Sequence, residues 1–137
     1  MKTAKEIQDD VWRLLRDSIL ADELSGGMYK AGYRPRDSRK EDAIVKYTTG
    51  ISDQIQEGIV TINIFVPDID PYNDGVMVED GNRTTQIERM AQDWVDQIAT
   101  EVSDYDISLS EPIYTEDEPD IDQHFVVVRL NYRLLTD

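Results

Sequence analysis

The chain has 137 residues and no cysteine, which removes disulfide staples, thiolate metal sites and a cysteine nucleophile, and fits a reducing compartment. Basic residues are scarce. Fourteen Lys and Arg stand against 29 Asp and Glu, for a formal net charge of −15. Binding duplex DNA or an anionic membrane surface takes a surplus of Lys and Arg on one face, so this balance argues against both as partners. It fits a soluble acidic monomer, and equally a wall past which phosphate travels without sticking. No apolar run approaches the roughly 18 residues a membrane helix needs, and the opening MKTAKEIQDD lacks the apolar stretch of a secretion signal, so cytosolic synthesis is expected. Walker A, GxGxxG, HExxH and G-x-S-x-G patterns are all missing, and neither an enzyme nor a cofactor is expected.

The length suits one domain with one core, since domains cluster at roughly 100–150 residues. Thr3 and Glu6 have capping-box spacing, and Ile7, Val11, Leu14 and Leu15 recur at helical intervals, which predicts a helix ending near Asp17 or Ser18. Ile19 to Leu24 reads as a broken turn or a short strand, and Met28-Tyr29 as the opening of another strand. A long mixed-charge loop, RPRDSRKED, follows. Ala43 to Tyr47 and Gly58 to Val66 alternate as strands, separated by a turn-like TTGISDQ, and Pro67 ends the second. Thr85 and Glu88 suggest a second capping box, ahead of a stripe running from Ile87 through Met90, Ala91, Trp94, Val95, Ile98 and Ala99 to Val102. A short strand interrupted by Pro112 covers Ile107 to Tyr114, and a last strand runs from Phe125 to Leu134. The expected fold is α+β: an antiparallel sheet of about four strands with two amphipathic helices packed on one face.

The opposite face is where function is sought. Ile59, Phe65, Phe125 and Val127 alternate there with Thr61, Asn63, Arg129 and Arg133, a mixture too apolar for a purely solvated surface and too polar for a second core. Either a partner meets it or the long loops fold back over it. Other constellations are weaker. Asp68, Asp70, Asn73, Asp74 and Gly75 resemble a calcium loop, but with Asp70 as first ligand Gly81 falls where the bidentate Glu belongs, so a solvated turn is expected. Glu116, Asp117, Glu118, Asp120 and Asp122 read as a solvated charge run in a loop, and His124 has no nucleophile elbow to serve. Trp94 belongs to the helical stripe, whereas Trp12 sits beside its own and suits a rim or an interface.

Taken in order, an N-terminal amphipathic helix, the segment GGMYKAGYRPRDSRKEDAIVKY with its RP-x-x-S-x-x-ED stretch, the strand GIVTINIFVPDID, a long helix and a closing strand resemble the tail terminator, or tail completion, proteins of long-tailed bacteriophages and prophages. The resemblance spans most of the chain as an order of elements. It implies a homo-oligomeric ring, usually hexameric, that caps the tail tube and joins it to the head connector. DNA would pass only as cargo, and the protein would move from the bacterial cytoplasm to the virion neck. On that reading Arg34, Arg36, Arg39 and Lys40 of one subunit would meet Asp68, Asp70 and Asp74, or Glu116 to Asp122, of the next. Phe65, Phe125, Arg129 and Arg133 would lie in the same contact. A head–tail connector adaptor of the same machine, or a stand-alone acidic binding module, are the alternatives.

Overall fold

The computed structural model describes residues 1–52 and 54–135. Three α-helices, α1 (Ala4–Arg16), α2 (Ile19–Glu23) and α3 (Gly81–Glu101), accompany six strands. The strands are β1 (Met28–Lys30), β2 (Ala43–Ser52), β3 (Gln56–Pro67), β4 (Tyr105–Leu109), β5 (Tyr114–Glu118) and β6 (Gln123–Leu134). They form one sheet in the order β1-β2-β3-β6-β4. The strand β5 lies beside β6 on the β4 edge, so β4 pairs with Leu130–Leu134 and β5 with Gln123–Val127, end to end.

The α+β class is as expected, but the sheet is mixed rather than antiparallel and has more than four strands. β1 runs parallel to β2, with Met28 opposite Ala43. Parallel neighbours need a long connection, and the RPRDSRKED loop supplies it. β2 continues through the supposed turn TTGIS, pairing Ile51 with Glu57. A register shift between Tyr47 and Thr49 and the facing glycines Gly50 and Gly58 let the hairpin continue there. A Cβ on Gly58 would lie 2.2 Å from the Thr49 carbonyl oxygen. The single strand expected around Pro112 is two, and the acidic run from Glu116 is a strand and a 3-10 turn (Pro119–Ile121) rather than a loop. Backbone pairing to β6 holds these acids in place, which charge patterning cannot reveal.

The helices form for the local reasons anticipated, with two differences in their bounds. Thr3 and Glu6 make the reciprocal capping box of α1. Ile19 to Glu23 is a helix capped by Ser18, neither turn nor strand. α3 begins earlier than expected, at Gly81, because Asp80 accepts from the Arg83 N–H and so caps it. Thr85 therefore lies inside the helix, and Glu88 accepts from the Thr115 hydroxyl of β5 instead of closing a box. The buried stripe ends at Ile98; Ala99 is exposed.

Alternation sorts the strands. Ala43 and Val45, Val60 to Val66, and Val126 to Tyr132 contribute every second side chain to a core that Ile7, Val11 and Leu15 of α1 and Ile87, Ala91, Trp94, Val95 and Ile98 of α3 complete. Each of the Val, Leu and Ile side chains among them contributes about 1.5–3 kcal/mol by leaving water. Ile59, Phe65 and Phe125 take no part in it.

Candidate assembly surface

The loop between β1 and β2 is built around one buried carboxylate. Asp42 is 1% exposed. It accepts from Arg34 Nε at 2.8 Å, from the Ser38 hydroxyl, and from the Gly27 N–H at 2.9 Å. Arg34 also donates to Gln123 Oε1 at 2.9 Å, and Gln123 Nε2 returns a bond to the Ser38 carbonyl at 2.9 Å. Burial alone would raise the Asp42 carboxyl, but the hydrogen bonds from Ser38, Arg34 and Gly27 and the Arg34 charge outweigh it and hold the group below its ordinary range. Next to it Glu41 pairs with Arg83 of α3 at 2.6 Å and accepts from the Ser25 N–H. The residues of the RP-x-x-S-x-x-ED stretch thus form a clamp, with Arg34, Ser38 and Asp42 spaced to meet one another and Glu41 tying the loop to the helix layer.

The guanidinium of Arg34 then lies 4.0 Å from the centroid of the Phe65 ring, which itself packs in a tilted pair with Phe125, centroids 5.4 Å apart. The loop therefore folds over one end of the second sheet face, as one of the two sequence expectations had it. Arg34 is occupied within its own chain and is not offered to a neighbour, a departure from the expected intersubunit role that arises because Asp42 and Gln123 reach it first. Arg36, Arg39 and Lys40 stay exposed, with Arg39 donating to the Ile121 carbonyl at 3.2 Å.

Toward the other end the second face is more open. Arg129 lies 3.5 Å from Glu111 Oε1, an ion pair without hydrogen-bond geometry, and Arg133 lies 3.6 Å from Asp106. Exposed pairs of this kind contribute about 0–1 kcal/mol. A hollow of about 490 Å3 opens beside them, lined by Gly50, Gly58, Asp106, Asn131 and Arg133.

The acids of the loop after β3 are not equivalent. Asp68 is nearly buried and sits 2.6 Å from His124 Nδ1, with Glu79 at 3.7 Å from Nε2. Asp70 accepts from the N–H groups of Asp74 and Gly75, shaping the turn, and Asp74 accepts from the Val76 N–H. Asn73 and Gly75 take positive φ there. Of the three expected contact acids, then, only Asp74 is exposed, and both Asp70 and Asp74 serve their own turn. Among the described residues no group of three or more His, Asp or Glu is arranged to hold a metal ion.

Both edges of the sheet are guarded rather than covered. At β1 the Trp12 indole donates to the Met28 carbonyl at 3.0 Å and the Tyr33 N–H to the Lys30 carbonyl at 3.1 Å, which fills the outward acceptors of the strand. This places Trp12 at a rim, with Lys30 and Arg16 over its ring. At the far edge β5 presents Glu116 and Asp117, and charge is an ordinary guard against strand addition. What projects is apolar: Ile51 and Ile55 at the β2–β3 tip, Tyr72 and Val76 in the next loop, and Tyr33. Sequence reasoning missed these, since single apolar residues inside polar turns carry no periodic signal.

The class these features define is an α+β protein with a helix layer on one sheet face, a half-open second face and projecting loops. No protein-family model matches the chain, and no curated protein matches it. Among the described residues no helix is long and apolar enough to cross a membrane.

Proposed function

We propose that this chain is a structural protein of a bacteriophage or prophage head–tail junction, a tail terminator or tail completion protein that forms a ring on the end of the tail tube. The observation carrying this reading is the second face of the sheet. Its Phe65–Phe125 end, outside the core, is covered by the loop that Arg34 and Asp42 hold in a fixed shape, while the end that carries Ile59, Arg129 and Arg133 stays half-open. Such a face, next to guarded strand edges and projecting apolar loops, suits contact with neighbouring subunits through side chains rather than added strands. The net charge of −15 suits a channel wall that DNA passes without binding. The resemblance to tail terminator proteins, drawn from the order of elements in the sequence, supports the same reading.

Tube capping tests the proposal. Purified protein mixed with growing tail tubes should bind their ends and stop elongation, visible as a length plateau in electron micrographs. Tubes that keep growing with bare ends overturn it.

A further inference from the structure

The helix layer carries a second apolar feature that neither the core nor the open sheet face uses. Two adjoining hollows of about 250 and 270 Å3 lie between the α1–α2 corner and α3, and share Ile19, Trp94 and Gln97. Ile19 is 70% exposed at their mouth. Trp94 is 4% exposed, and among the described residues its indole Nε1 has no hydrogen-bond partner. A buried donor left unpaired is unfavourable, and marks this part of the helix layer as imperfectly packed. Four acids, Asp17, Glu23, Asp93 and Glu101, surround the opening; Arg16 pairs with Asp17 and Arg89 lies 3.6 Å from Asp93, while the lining Arg13 is paired with Asp9, so the rim's uncompensated charge rests on Glu23 and Glu101.

We propose that this groove receives the 33–40 loop of a second copy of the chain, with Tyr33 entering between α2 and α3 and Arg36, Arg39 and Lys40 meeting the acidic rim. Charge selects this occupant from the three projecting apolar segments. The Tyr72 loop carries Asp68, Asp70 and Asp74, and the β2–β3 tip carries no base between Tyr47 and Val66, so an acidic rim attracts neither. Only the 33–40 segment combines an exposed aromatic with free positive charge. Tyr33 is 76% exposed, and among the described residues Arg36 and Lys40 form no ion pair. The clamp from Arg34 to Asp42 and Gln123 already fixes the loop, so docking would freeze little additional backbone.

Loop and groove are different patches of one molecule, Tyr33 lining a separate hollow with Trp12 and Met28. A contact between unlike patches propagates head to tail and closes into a ring when the rotation allows. The inference rests on the ring reading given above and names its subunit contact, replacing the acidic loops of the neighbour by the helix groove.

The absence of cysteine makes the test direct. Pro35→Cys and Gln97→Cys, placed together in one chain, keep Tyr33 and every charge. Mild oxidation of the assembled protein should give a covalent ladder extending beyond dimer, whereas each single variant stops at dimer. Tyr33→Ala, and separately R36E with R39E, should weaken association at least about tenfold. E23R with D93R should restore the charge-reversed loop. Wild-type assembly with no ladder, or with R36E/R39E assembling normally, overturns the groove contact and leaves the ring reading standing. Wild type that stays monomeric both alone and with tail tubes overturns both.

Discussion

Arg34 and Asp42 meet at 2.8 Å across their own loop, on a carboxylate that is almost wholly removed from water. That contact decides the shape of the one basic segment in an acidic chain, and it sets the stability of the end of the sheet that the loop covers.

Removing Arg34 leaves Asp42 buried without its countercharge. Arg34→Ala should therefore lower unfolding free energy by about 3–5 kcal/mol, the usual consequence of breaking one side of a buried pair. Arg36→Ala, on the same loop but exposed, should stay within about 0.5 kcal/mol of wild type. Urea denaturation at neutral pH measures both, and equal effects would show that the clamp is not what holds the loop.

The acid side of the stability profile follows from the same groups. Asp42 and Glu41 both titrate below their ordinary values in the folded chain: burial pushes each up, and hydrogen bonds, from Ser38 and Arg34 to Asp42 and from Arg83 and the Ser25 N–H to Glu41, outweigh it. The unfolded chain then takes up protons first. The stabilisation is complete above the unfolded carboxylate values of about 3.9–4.3 and is lost as pH falls through the folded ones. Melting temperature should be flat near neutrality and drop below about pH 4, with a shallower drop when Arg34 is replaced.

The alkaline side has the opposite sign. Burial, aided by hydrogen bonds to Asp10 and Tyr47 respectively, pushes the Tyr105 and Tyr132 phenols far above their ordinary range. Below the unfolded phenol value of about 10 their contribution is complete, and it declines as pH rises beyond that, because only the unfolded chain ionises. In an ultraviolet titration of the seven tyrosines, these two should ionise only together with unfolding. Full ionisation in a still-folded chain would contradict their burial.

Gly58 pairs with Gly50 in the β2–β3 hairpin at a close backbone approach. A Cβ there would meet the Thr49 carbonyl at 2.2 Å and the Gly50 Cα at 2.5 Å, atoms that cannot swing aside. Gly58→Ala should be destabilising by about 1–3 kcal/mol, in the range of overpacking. Gly81→Ala, where nothing lies within 4 Å, is the control expected to change stability by no more than about 0.5 kcal/mol.

Local pattern is enough to establish the existence and faces of α1, β3, α3 and β6, because each writes its burial as a period of about 3.6 or 2 residues. The residues themselves also fix the acidity of the chain and mark the Arg34 to Asp42 stretch as distinctive. The shape of that stretch, by contrast, comes from contacts distant in sequence. Gln123 reaches Arg34 from 89 residues away, and no local pattern encodes such a meeting. Tertiary pairing likewise set the parallel direction of β1, the conversion of the Glu116 run into an edge strand, and the plugging of the β1 edge by Trp12. Each depends on backbone groups finding partners brought close by core packing, and hydrogen bonds of that kind leave no periodicity in the residues that make them.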